Sequence, residues 1–308
     1  MNSGKTNIKL GINMGFATNR FPEPEVWTKM VGKDLGLKYV QFVADLLNPW
    51  IPDKLMRSEV AKIKKNCKKY NINVDTTFPA AFTRVNHVLH PNPEMRKLWM
   101  GYFKKFFSVS AELGARGSGC GPFGIYSVTD YNNKKRRDYL LKEGIESWHK
   151  LADYGKKVGF KFLIFEPMSI PRECANTIEE TWKLYKKLNE GSSLPILLCL
   201  DVDHGDLESK NPDDTDAYAW IREFAAVSPI IHIKQSTMNK GGHWPFTAQY
   251  NKEGKIIPSK IIKAIEDTGA KDVVLTFEFS FRERYPAEYG IVEKLKESVQ
   301  YWRKFVKK

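Results

Sequence analysis

An α/β chain folded as one (β/α)8 barrel over residues 1–308 is what the sequence predicts, on three observations. Short apolar runs alternate with longer amphipathic ones along the whole length; there are eight of the short runs; and four of them end in acidic or imidazole side chains. Eight strand-and-helix alternations at this length fit a closed parallel sheet better than two separate domains.

The strand candidates are IKLGINM (8–14), YVQFVA (39–44), INVDTTF (72–78), ARGSGCG (115–121), FKFLIFE (160–166), PILLCLD (195–201), PIIHIKQ (229–235) and DVVLTFE (272–278). Between them, apolar residues three or four apart mark helices at 26–36, 55–70, 95–114, 137–159, 178–189, 217–227 and 259–269. Gly36, Gly114, Gly159 and Gly269 fit helix C-terminal caps, where a left-handed residue is wanted. No long linker, low-complexity stretch or internal repeat interrupts the alternation.

The composition, 42% hydrophobic and 28% charged, is that of a globular chain able to bury a sizeable core. No apolar run reaches the roughly 18 residues of a membrane span, and MNSGKTNIKL lacks the apolar centre of a signal peptide. A cytoplasmic protein is therefore expected. The cysteines Cys67, Cys120, Cys174 and Cys199 fit no metal-binding spacing and are expected to be reduced thiols. A formal charge of +13 raises the question of nucleic acid or membrane surfaces, but the lysines are spread over helical segments such as 62–70, 134–137, 154–161 and 183–188. They read as solvated outer faces, so neither nucleic acid nor membrane is expected as a partner.

Chemistry is expected where strands end, because active sites of such barrels lie at the C-terminal face. The fifth to eighth strands finish at Glu166, Asp201, His232 and Glu278. Any one of these could cap a loop or pair with a lysine. Four in corresponding positions on successive strands point to a shared site, and three carboxylates there repel one another unless a cation is present. An oxygen-rich set with one imidazole suits Mn²⁺, Mg²⁺ or Co²⁺ better than a thiolate-loving metal.

His204 follows Asp201 by three residues and would lie above the metal or simply form a turn. Asp203 shares a face with Asp201 and would support His204 or Lys234. Lys234, two residues after His232, would hold a substrate anion or pair with a carboxylate. The loops 83–94, with His87 and His90, and 239–247, with His243, Trp244 and Phe246, would form a lid or pack against a second subunit. His90, Trp244, Arg172 and Gln235 join His204 and Lys234 as candidate substrate contacts. GCGPFG at 119–124 spells a dinucleotide fingerprint but follows the fourth strand and carries Pro122, so no dinucleotide site is expected.

Over nearly its whole length the chain resembles the xylose-isomerase-like TIM-barrel superfamily of sugar isomerases and epimerases. Glu166 in FEPM, Asp201 and His204 in LDVDHG, His232 in HIKQ and Glu278 in FEF carry the resemblance. It implies that Glu166, Asp201, His232 and Glu278 hold a divalent metal, usually Mn²⁺. It further implies that Glu166 and Glu278 are the catalytic acid and base, and that His204 binds the ketose oxygen. Two departures alter the contacts to the substrate's first carbons: Arg172 replaces a glutamate and Met238 an arginine. EPMSIPRE, LCLDVDHGD, HIKQ and GGHWPFT look closer to a branch acting on short or branched sugars, such as apiose or tetrulose phosphates.

The resemblance implies a metal-dependent isomerase or epimerase of a sugar or sugar phosphate that works through a metal-bound enediolate. The partner would be a small carbohydrate, and the chain would assemble as a homodimer or homotetramer. Arg172 and Lys234 are the expected binders of a substrate phosphate or carboxylate. Two rival readings share the barrel: the large subunit of a C-glycoside deglycosidase lyase, which needs a small partner subunit, and an apurinic endonuclease IV-like nuclease. The nuclease site is built with many histidines, whereas this chain has six in all.

Overall fold

The computed structural model describes residues 6–79, 84–237 and 240–306. Eight parallel strands close on themselves: β1 (Asn7–Asn13), β2 (Tyr39–Val43), β3 (Asn73–Phe78), β4 (Gly117–Gly119), β5 (Phe162–Phe165), β6 (Ile196–Asp201), β7 (Ile230–Ile233) and, after an inserted hairpin, β10 (Asp272–Phe277). β1 pairs with β2 on one side and β10 on the other, which shuts the barrel. The hairpin, β8 (Gln235–Thr237) with β9 (Lys240–Trp244), is antiparallel and lies outside the barrel.

Helices cover the barrel: α1 (Pro24–Lys29), α2 (Asp53–Lys69), α3 (Pro93–Glu112), α4 (Val128–Asn132), α5 (Lys134–Val158), α6 (Ile178–Asn189), α7 (Ala217–Phe224), α8 (Ala248–Asn251), α9 (Pro258–Asp267) and α10 (Ile291–Arg303). Helical spacing of apolar residues decides which face is buried. Met56, Val60, Ile63 and Cys67 form the inner stripe of α2, and Leu295, Val299 and Trp302 that of α10. The four expected C-cap glycines all take positive φ, from 63° at Gly36 to 96° at Gly159. Inside the barrel a second cluster forms from Phe78, Phe162, Ile164, Cys199, Ile230 and Val274, so the centre is a packed core rather than a pore. β4 can approach β5 because it carries glycine: a Cβ on Gly119 would collide with the Ile164 carbonyl, and one on Gly117 with the Phe162 ring.

Three expectations change. PIIHIKQ is not one strand; β7 stops at Ile233, and Gln235 begins the hairpin because its side chain turns back to bind Ile256 and Asn251. The proposed lid at 239–247 is therefore largely strand β9, with Phe246 fully buried in the core. Helices α4, α8 and α10 were not expected, and α10 supplies the outer cover after the last barrel strand. Met238, Asn239 and Thr83 lie outside the described residues. Among the described residues no helix is long and apolar enough to cross a membrane, and all four cysteines are free.

Candidate metal centre

The fold brings Glu166, Asp201, His232 and Glu278 together, each offering one ligand atom within 4.8 Å of the others. Backbone pairing fixes their heights. The Glu166 amide donates to the Gly121 carbonyl (3.0 Å), Asp201 lies opposite His232 in the sheet, and the Glu278 amide donates to the Ile233 carbonyl (3.1 Å). Gly121 of GCGPFG thus supports the end of the fifth strand.

Second contacts orient the donors. Nδ1 of His232 faces Glu166 Oε1 (3.2 Å) and Glu278 Oε1 (3.4 Å), while Nε2 lies 2.7 Å from Gln41 Oε1. Because the Gln41 oxygen accepts, Nε2 carries a proton and the Nδ1 edge turns toward the carboxylates, where it would be the ligating nitrogen for a bound metal. Asn13 Nδ2 holds the same Gln41 oxygen at 2.6 Å, and all three residues are buried. The Asp203 amide donates to Asp201 Oδ1 (2.7 Å) and leaves Oδ2 facing the cluster.

Lys234, fully buried, places Nζ 2.6 Å from Asp201 Oδ2 and 3.1 Å from Glu278 Oε2. Burial works to lower the Lys234 ammonium, yet Asp201, Glu278 and Glu166 raise it. Burial likewise works to raise Glu278, but His232, Lys234 and His243 hold it well below the carboxylate range. Asp201 is also lowered, with His204 and Lys234 opposing its burial. The raised Lys234 and the lowered carboxylates show that the cluster keeps its acids ionised around a positive charge, the arrangement a divalent cation would also meet. With three carboxylate donors, one imidazole and no thiolate, the set fits a hard or borderline divalent ion.

A cavity of about 400 Å³ opens beside the cluster, lined among others by Asn13, Arg84, Glu166, His204, His243 and Glu278. That is room for a small sugar or sugar phosphate. His204 binds the Pro167 carbonyl through Nδ1 (2.9 Å), which leaves its other nitrogen for a ligand. His243 reaches in from β9, with Nδ1 3.3 Å from Glu278 Oε2.

Other expected contacts are placed elsewhere. Arg172 donates to the Tyr126 carbonyl (2.7 Å), bracing two loops, and is not among the residues lining the cavity. Gln235 spends its amide on Ile256 and Asn251. His90 accepts from the Asn92 amide at the start of α3, and Trp244 stacks on Tyr250 at 5.2 Å. His87 is fully buried edge-on against Phe103, and burial lowers its pKa to about 3. Asp203 supports neither His204 nor Lys234; it pairs with Lys255 (2.8 Å) and accepts from the Gly242 amide (3.0 Å), tying β6 to the hairpin. Lys234 takes the ion-pair alternative.

Sequence reasoning missed Asn13, Gln41 and Arg84. For the first two a signal existed: each is a polar residue inside an otherwise apolar strand, IKLGINM and YVQFVA. Arg84 carried none.

Residues 31–305 match the model of the xylose isomerase-like TIM barrel family. A D-erythrulose 1-phosphate 3-epimerase of Brucella abortus (strain 2308) is 36% identical over 296 residues, 96% of this chain and 95% of that protein. A Rhodospirillum rubrum ATCC 11170 protein provisionally described as a xylose isomerase superposes with TM-score 0.87 at 25% identity, over 97% of this chain and 99% of that one. D-psicose 3-epimerase of Clostridium cellulolyticum H10 shares the fold at TM-score 0.64 and 16% identity, over 96% and 90% of the two chains.

Proposed function

Since the chain belongs to the xylose isomerase-like TIM barrel family, we propose that it is a divalent-metal-dependent epimerase of a short ketose phosphate. The observation that carries this reading is the convergence of three carboxylates and one oriented imidazole from four successive barrel strands beside a sugar-sized cavity. The likeness to a tetrulose-phosphate epimerase over nearly all of both chains supports the substrate class.

Glu166, Asp201, His232 and Glu278 would hold the metal, Mn²⁺ by preference, with Mg²⁺ or Co²⁺ as alternatives. When bound, it would act as a Lewis acid on the substrate's carbonyl and neighbouring hydroxyl oxygens. The protein's own groups supply the rest. One of Glu166 and Glu278 removes the proton from the carbon beside the carbonyl and the other returns one to the opposite face, which inverts that centre. Glu278 is held in the ionised form that a base must have before the proton is taken. Lys234, anchored between Asp201 and Glu278, restrains the Glu278 carboxylate, and His204 directs its free nitrogen at the substrate oxygens. Strand-end placement gives these groups the positional precision that proton transfer needs.

The test is incubation of the Mn²⁺-loaded protein with D- and L-erythrulose 1-phosphate, and with free three- to six-carbon sugars, in D₂O. Interconversion of the two phosphates with one deuterium at C3 is expected. A carbonyl that migrates along the chain would make the enzyme an isomerase instead, and no exchange on any sugar would remove the reading.

A further inference from the structure

We infer that Arg84 is the specificity-determining residue that recognises the phosphate group of the substrate. This inference rests on the phosphate-ester reading above. The cationic side chains near the cavity differ in what they have left to give. Lys234 is enclosed between Asp201 and Glu278. Arg20 lines the cavity but is held by Glu288 through Nε and Nη2 (2.7 Å each) and also donates to the Phe281 carbonyl; its side chain is 9% exposed. Arg172 faces the Tyr126 carbonyl and does not line the cavity.

Arg84 lines the cavity with 56% of its side chain exposed. Its Nε and Nη2 bind Glu173 (3.0 and 2.8 Å to Oε1), and Glu173 is itself 5% exposed and so a fixed anchor. Nη1 has no acceptor among the described residues. A guanidinium held along its Nε edge presents its Nη edge at a set angle, and that edge matches two phosphate oxygens. Glu173 therefore acts as the positioning residue that aims Arg84. Arg84 lines the cavity just after β3, and Glu173 backs it from the turn Pro171–Glu173 after β5, so the phosphate would lie at Arg84 and the carbon skeleton at the cluster.

The experiment compares the Mn²⁺-loaded full-length protein with its R84M, R84K and E173Q variants on erythrulose 1-phosphate and on free erythrulose, with inorganic phosphate as inhibitor. Mn²⁺ titration reports whether each variant is folded. For R84M, KM for the phosphorylated substrate is expected to rise about 100-fold, as losing a charged hydrogen-bond pair implies. The preference for phosphorylated over free sugar should collapse, and the inhibition constant of inorganic phosphate should rise in parallel. R84K, which keeps the charge but loses the fork, should recover only part of the loss, and E173Q should weaken phosphate inhibition less than R84M. An R84M enzyme with wild-type KM and unchanged phosphate inhibition overturns the inference, as does equal loss on both sugars. A wild-type protein that turns over free erythrulose but no phosphate ester fails differently, because it removes the phosphate reading itself.

Discussion

At the N-terminal end of the barrel Asp75 receives two hydrogen bonds from Arg116 (2.9 and 3.0 Å), while Lys9 and Asn7 bind Asp272 (2.7 and 2.8 Å). Two carboxylates there meet two cations, and Arg116 also lies over the Phe162 ring. At the C-terminal end three carboxylates from different strands, Glu166, Asp201 and Glu278, converge on Lys234 and the His232 ring. Both ends bury ionised groups, at a cost that pairing must offset. The N-terminal end is closed electrostatically and serves the fold. The C-terminal end gathers three carboxylates around one fixed ammonium, the donor set a divalent cation would suit.

Substitutions at the two ends should separate activity from stability. The largest expected effect is on turnover: Glu278→Gln or Glu166→Gln lowers kcat about 10³-fold, the scale of losing a positioned acid or base. Because Lys234 and His243 stabilise the ionised Glu278 carboxylate, Glu278→Gln in the presence of chelator should also lower the melting temperature a little; a loss larger than that of the Arg116 substitution below would break the comparison. Next, Arg116→Met strands the buried Asp75 carboxylate and should cost roughly 3 kcal/mol in urea unfolding, with Mn²⁺ affinity unchanged; a loss of metal binding instead would show the two ends to be coupled. Gln41→Leu sharpens the C-terminal side by removing the acceptor that fixes the His232 proton on Nε2. It should weaken Mn²⁺ binding about 10- to 100-fold by calorimetric titration; unchanged affinity would mean that the ring needs no such partner.

A last effect, seen only in acid, concerns a buried imidazole belonging to neither end. His87 has its pKa lowered to about 3 by burial, against about 6.5 when unfolded. The unfolded chain therefore binds more protons between those values, and stability falls as pH drops from about 6.5 toward 3, by up to roughly 1.4 kcal/mol per pH unit. His87→Phe should flatten that slope in acid-unfolding curves; an unaltered slope would assign the acid sensitivity to other groups.

What the sequence disclosed follows the same division. Glu166, Asp201, His232 and Glu278 were legible because each terminates an apolar run, a local pattern that the barrel turns into a shared location. The eight strands were legible for the same reason. Side-chain direction beyond a strand end was not. Arg172 and Gln235 follow ligands closely in the chain, yet one braces the Tyr126 carbonyl and the other closes a loop. The residues that do support the site come from the other half of the barrel: Gln41 is 191 positions from His232, and Arg84 is 89 from Glu173. Spacing carries no information at such separations. Helix α10 is different: the helical spacing of Leu295, Val299 and Trp302 is in the sequence, yet no helix was expected there.

The hairpin β8–β9 stands outside the hydrogen-bond circuit of the barrel, since β7 pairs directly with β10. It nevertheless carries His243 to within 3.3 Å of Glu278 and is tied to β6 through Asp203. Insertions, deletions and substitutions in it can change what meets the substrate without shifting the register of any strand that bears a metal ligand. The architecture thus separates a part that inheritance must keep from a part that selection can rewrite, and divergence toward new sugars has an inexpensive route through this one segment.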